Sequence, residues 1–147
     1  MSPMLRTLFA AVLLLPLSLA PANALEKHRL ALQISDNDAA KMNAVLNVAA
    51  NVSKYYSDKA EEVEIEIVAF NAGLHMLRAD TSPVQVRLKS FKQSMPNVSF
   101  KACENTLEAM TRSEGKEPPL VDNAERVKAG VVTLIELAEK GWTIVRP

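Results

Sequence analysis

Cys103 is the one cysteine in 147 residues. It falls where a strand-like run, Val98-Ser99-Phe100-Lys101-Ala102, gives way to a helix-like one, Glu104-Asn105-Thr106-Leu107. A thiol at such a seam sits at the carboxyl end of a strand and beside the free backbone N–H groups that open a helix. Those groups favour an anion and so lower a thiol pKa, which makes the sulfur a nucleophile. The opposite reading is equally physical, because free cysteine is among the most buried residue types and often only fills space. Four neighbours bear on the choice. Lys101 shares a face with Cys103 if the strand runs that far, where its ammonium would favour a thiolate, or it points to solvent as most lysines do. Asn105 and Thr106 supply N–H groups in the first helical turn, and the Thr106 hydroxyl either hydrogen-bonds the sulfur or caps the helix. His75 follows another strand on the same expected rim, as a cysteine partner or as a partly buried surface histidine. His28 begins the first strand, on the opposite rim, and is given no role. With two histidines and one cysteine, the usual ligand clusters for zinc or iron are missing, and no metal or cofactor is expected.

The N-terminus sets the compartment expected for that thiol. Arg6 precedes an uncharged stretch from Thr7 to Leu25 that contains Leu8-Phe9-Ala10-Ala11-Val12-Leu13-Leu14-Leu15. Pro16 and Pro21 interrupt it, it falls short of the roughly 20 apolar residues that span a bilayer, and Ala22-Asn23-Ala24 has the small-x-small pattern of a signal-peptidase site. The pattern predicts a cleaved export signal over residues 1–24, cut after Ala24, a periplasmic or otherwise exported product, and no stable membrane insertion afterwards. The competing reading is an uncleaved anchor. A lone cysteine in an oxidising compartment implies an intermolecular partner, a free reactive thiol, or burial deep enough to escape oxidation. The whole chain has 17 basic and 17 acidic residues; residues 25–147 keep 16 basic against 17 acidic, a formal net charge of −1. Basic and acidic side chains are interleaved, with no basic stripe, so no nucleic-acid partner is expected.

The elements that must position Cys103 are legible as alternating patterns. His28-Arg29-Leu30-Ala31-Leu32-Gln33-Ile34 has period-two aliphatics and reads as the first strand. Ser35-Asp36-Asn37-Asp38 then opens a helix, with Ser35 or Asp36 as N-cap and Asp38 near the positive end of its dipole. Met42, Val45, Leu46, Ala49, Val52 and Tyr56 recur at spacings of three and four and mark its buried face. Asn43, Asn47 and Asn51 form a neighbouring stripe, solvated or bonded across a subunit contact. Glu62 to Phe70 alternates and then turns continuously apolar, as a strand that enters the core, with its glutamates on one side. Asn71-Ala72-Gly73-Leu74 is a turn, Pro83 to Ser94 a helix, and Glu104 to Arg112 another. Ser113 to Pro119 reads as a loop, a candidate lid or contact loop. Leu120-Val121 pairs briefly with the sheet. Asp122, with Glu125 three residues on, caps the last helix, whose stripe is Val127, Val131, Leu134, Ile135 and Ala138. Lys140-Gly141 stops it, and Trp142 to Arg146 is a final strand. Strands alternating with helices predict a single α/β domain over residues 25–147: a mainly parallel sheet between two helical layers, in which sites lie beyond the carboxyl ends of the strands.

The segments His28 to Ile34, Glu62 to Leu74, Val98 to Thr106, and Gly130-Val131-Val132 with Leu137 and Gly141-Trp142-Thr143-Ile144-Val145-Arg146-Pro147 resemble the DsrE/DsrF-like sulfur-relay family. The strand-Ala-Cys-x-Asn-Thr segment and the Gly-Trp near the C-terminus are the most specific parts. The resemblance implies a three-layer α/β/α fold and assembly into homo-oligomers. It also implies a cysteine near a strand end, here Cys103, that takes sulfur as a persulfide and passes it on. Partners would be sulfur donor and acceptor proteins or small sulfane-sulfur compounds. Sulfur transfer needs a nucleophilic, accessible thiolate and no second cysteine. Three functions thus stand side by side: a sulfur carrier or sulfurtransferase-like protein; a non-catalytic homo-oligomeric binding or scaffold protein with an inert buried cysteine; and a sensor that dimerises through Cys103.

Overall fold

A computed structural model describes residues 27–147; the expected export signal lies outside them. The chain folds as β1 (His28–Ile34), α1 (Ala39–Asp58), β2 (Val63–Ala69), a 3-10 segment (Asn71–Leu77), α2 (Gln85–Ser94), β3 (Val98–Cys103), α3 (Glu104–Glu114), β4 (Ala124–Val127), α4 (Gly130–Glu139) and β5 (Thr143–Val145). All five strands are parallel, in the order β4-β3-β2-β1-β5, so the expected three-layer α/β fold is the one observed.

Strand order explains how the helices are shared between the faces. From β1 to β4 the chain steps along the sheet in one direction, and crossovers of one hand then keep their helices on one side. Leu30, Leu32, Ile34, Ile65, Ile67, Phe100 and Ala102 point to that side. They pack with Met42, Val45, Leu46 and Ala49 of α1, Leu88 and Phe91 of α2, and Leu107 of α3. From β4 the chain reverses and returns past three strands to place β5 beside β1. The return helix must lie on the other face, and α4 alone covers it among the described residues. Its Leu134 and Leu137 meet Ala31, Val68, Phe70 and Cys103. Period-two alternation within β3 therefore sends Ala102 into the large core and Cys103 under α4.

Several expected boundaries move. The N-cap of α1 is Asp38, whose carboxylate accepts from the Ala40 and Lys41 N–H groups at 2.7 and 3.0 Å; Asp36 is occupied by Lys41 and Arg146 instead. Arg87 of α2 uses the asparagine stripe, donating to the side-chain oxygens of Asn43 (2.7 Å) and Asn47 (2.8 Å). The turn at Asn71 is a 3-10 segment, and a Cβ on Gly73 would lie 2.3 Å from the Ile34 carbonyl oxygen, so only glycine lets it pass the end of β1. Leu120 forms an isolated antiparallel bridge to Arg78, and the strand that joins the sheet is 124–127. Asp122 and Glu125 cap nothing: Asp122 pairs with Lys92, and Glu125 lies in β4 paired with Lys101. The last helix starts at Gly130 with Ala129 as N-cap, so Val127 belongs to a strand. Of the expected apolar stripe, Leu134 is buried, whereas Val131 and Ile135 are each 53% exposed.

The expected lid is tied down. Helix α3 continues to Glu114 and ends at Gly115 in the left-handed conformation, φ +75°. Arg78, 9% exposed, donates to both carboxylate oxygens of Asp80 and of Glu114, and the Ala79 N–H donates to the Pro119 carbonyl at 2.8 Å. A buried guanidinium with two fork-like carboxylate partners is a fixed joint.

Candidate functional site

The register puts Ile34, Ala69 and Ala102 level, with Cys103 one residue beyond and opposite Val127. Cys103 is thus on the carboxyl rim of the sheet. It ends β3 and is at the same time the N-cap residue of α3, with extended backbone angles of −68° and 116°. A second helix reaches it: α4 begins directly after β4, the neighbour of β3, so its first residue, Gly130, arrives over the end of β3. A Cβ on Gly130 would come within 2.9 Å of the Phe70 Cβ. Glycine is what allows α4 to approach that closely.

Cys103 is 5% exposed and lines an open depression of about 480 Å³ together with Phe70, Asn71, Thr106, Met110, Gly130 and Val131 among others. Among the described residues no charged side chain lines it. Burial is the largest single influence on the thiol and pushes its pKa up. It is outweighed by the Thr106 hydroxyl and by the N–H groups of Gly130, Thr106 and Asn105, so the pKa lies below the ordinary thiol value. The sulfur makes no N-cap hydrogen bond of ordinary geometry; these groups surround it and favour negative charge on it. Two helix starts of 11 and 10 residues, α3 and α4, thereby converge on one sulfur.

The four expected neighbours separate. Thr106 and Asn105 line the depression with Cys103. The Thr106 hydroxyl oxygen accepts from the Asn71 N–H at 2.9 Å, and the Asn105 N–H makes a long contact, 3.4 Å, to the Lys128 carbonyl. Lys101 lines a different cavity, under the flank of α4, with Glu66 and Leu137; its ammonium is held 2.5 Å from Glu125 and acts on Glu66, whose carboxyl burial pushes up. His75 sits in the 3-10 segment with Nε2 3.0 Å from the Thr81 carbonyl and is not among the residues lining the depression. Among the described residues no cluster of three His, Cys, Asp or Glu side chains is placed to hold a metal.

Two contributors lay outside the sequence reading of the site. Gly130 was concealed because Asp122-x-x-Glu125 mimics a capping box and pulls the expected helix start seven residues early. Asn71, with φ +49°, had a weak signal: asparagine tolerates the left-handed region better than most residues. The crevice between β1 and β5, where the chain direction reverses, is the expected ligand position in an open parallel sheet. Here the ion pair of Asp36 with Arg146, 2.8 Å, lies beside it, and Cys103 stands two strands away.

The sequence matches no family model, and no curated protein matches it. Among solved structures it is similar to the protein of unknown function MTH1491 from Methanobacterium thermoautotrophicum, with 30% identity and a TM-score of 0.64 over 82% of this chain and 99% of that one. At that identity across nearly all of the archaeal chain, this protein belongs to the same family as MTH1491.

Proposed function

We propose that the protein is an exported, homo-oligomeric sulfur carrier that accepts sulfane sulfur on Cys103 as a persulfide and delivers it to an acceptor thiol. The observation that carries this reading is the environment of the thiol: it lines an open depression, with N–H groups from two helices that stabilise its anion. The resemblance of the Ala102-Cys103-Glu104-Asn105-Thr106 segment to the DsrE/DsrF-like sulfur-relay proteins supplies the chemistry. In the loading step the Cys103 thiolate attacks the outer sulfur of a sulfane donor. The new Sγ–S bond forms as the donor's S–S bond breaks, and the donor leaves as a thiolate or sulfite. In delivery an acceptor thiolate attacks the same outer sulfur, and Cys103 departs as a thiolate. Neither step needs an external oxidant. Val131, Val132 and Ile135, exposed by 53%, 50% and 53% on the outer side of α4, support self-association. The low exposure of Cys103 favours a second reading, an inert thiol in a scaffold protein.

Mass spectrometry separates the two. The purified folded protein treated with thiosulfate or a low-molecular-weight persulfide is expected to gain the mass of one sulfur atom, reversibly by added thiol. Cys103→Ser is expected to gain nothing. A wild-type protein that stays unmodified, and whose cysteine alkylates only after unfolding, refutes the carrier and leaves the scaffold.

A further inference from the structure

Threonines in these helices divide into two kinds. The hydroxyls of Thr111 and Thr133 return to the carbonyl four residues earlier, at 2.8 Å to Leu107 and 3.1 Å to Ala129. This is the usual use of a helical threonine proton. Thr106 makes no such bond among the described residues. It stands three residues after Cys103, the N3 position relative to an N-cap, and both residues line the depression. Its oxygen is already an acceptor, filled by the Asn71 N–H at 2.9 Å. A hydroxyl has one proton and two lone pairs; with a lone pair committed to Asn71 and no helix carbonyl taking the proton, the proton is free to serve the sulfur, which lines the same depression.

Resting on the reading of Cys103 as a nucleophile, we propose that the Asn71 N–H and the Thr106 hydroxyl form a relay that keeps a proton donor aimed at Cys103 Sγ. Thr106 stabilises the thiolate both before attack and as it is released on delivery. Asn71 is a positioning residue that acts only through Thr106. Residue 71 holds the left-handed conformation, φ +49°, directly after β2, where the chain turns out of the ladder while its N–H bonds Thr106. The energetic link runs from the sheet end through one hydroxyl to the sulfur. The direction of the Cys103 shift, in which Thr106 is the foremost group opposing burial, agrees with it.

The test is the pH profile of Cys103 alkylation by iodoacetamide in the folded protein between about pH 5 and 10, the range that brackets free-thiol ionisation. Thr106→Val keeps the shape and removes the donor. Loss of a charge-assisted hydrogen bond lowers the thiolate fraction about tenfold below the midpoint, and the more basic thiolate is about threefold more nucleophilic. The rate in acid should therefore fall about three- to fourfold while the alkaline plateau rises about threefold, so the two profiles cross. Thr106→Ser should restore the wild-type profile. Asn71→Val, which disfavours the left-handed backbone, should shift the midpoint the same way, and Asn71→Gly should leave it in place. Superimposable profiles for Thr106→Val and wild type overturn the relay, as does a variant profile scaled by one factor at every pH, which reports access alone. A wild-type midpoint at the ordinary thiol value, about 8.5, overturns the nucleophile reading itself. A low wild-type midpoint with an unmoved Thr106→Val overturns only the relay.

Discussion

Substituting Gly130 by alanine couples the fold to the thiol. The added Cβ lies 2.9 Å from Phe70 Cβ and 3.2 and 3.3 Å from two ring carbons, against an ordinary carbon–carbon contact of about 3.5–4.0 Å. Phe70 is itself buried at 9% exposure and cannot swing into solvent, so the start of α4 must lift by about 0.5–1 Å to regain normal contact. Overpacking of this kind costs about 1–3 kcal/mol, and alanine returns about 0.5–1 kcal/mol as the better helix residue. The net is a loss of about 1–2 kcal/mol, or roughly 3–10 °C in Tm for a domain of this size. The same lift withdraws the Gly130 N–H from Cys103, so the midpoint of the alkylation pH profile should rise toward the ordinary thiol value. Thermal unfolding followed by circular dichroism and the alkylation profile together check both halves. Gly115→Ala is the control: φ +75° with open space around it gives backbone strain at the opposite end of α3 from Cys103, and should destabilise without moving the thiol midpoint. A Gly130→Ala protein that is destabilised with an unmoved midpoint would refute the role of α4 in thiolate stabilisation. No change in either would refute the contact with Phe70.

Gly73→Ala should be the more damaging glycine substitution, by about 3 kcal/mol or more, because its Cβ would meet the Ile34 carbonyl oxygen at 2.3 Å and backbone gives less than a side chain; a melting temperature equal to that of Gly130→Ala would contradict this. Arg78→Met should cost about 1–2 kcal/mol near neutral pH, read by urea unfolding, with a distinctive acid dependence. Hydrogen bonding to Arg78 holds the Asp80 carboxyl well below the usual carboxylate range. Its stabilising contribution is therefore complete above the unfolded value, about pH 4, and drains as pH falls through the lower folded value. The gap between wild type and variant should narrow from pH 6 to pH 3; a constant gap would assign Arg78 a packing role alone.

Strands β1, β2, β3 and β5 were legible from alternating or continuous apolar runs, whereas β4 was not. Nor was the layer assignment, since strand order decides which face each helix takes. The direction reversal after β4 leaves no mark in composition. Local competition also misled: Asp36, a good N-cap by type, is taken by Arg146 from 110 residues away, and the cap falls to Asp38. The pair Asp122 and Glu125 has the spacing of a capping box, but each finds a lysine from another element, Lys92 and Lys101. At the site, Cys103, Asn105 and Thr106 were found from one local seam because they are consecutive in chain and space. Lys101 was correctly put on the face of Cys103, but the partner that engages it comes from β4, a strand hidden by that capping mimic. Gly130 belongs to the site only through packing between distant segments.

Among the described residues α4 is the one helix covering its sheet face, and such a helix also sets how often that face opens. Native proteins release such units locally, at free energies below that of global unfolding, and α4 carries two buried leucines, Leu134 and Leu137, to hold it. Cys103 lies beneath it, so a reagent too bulky for the depression would label the thiol only during excursions of α4. When reclosing outpaces labelling, the rate reports the population of the lifted state. One sulfur atom then serves as a native-state gauge of the last βαβ unit, and any partner that pins α4 would slow bulky reagents while sparing small ones.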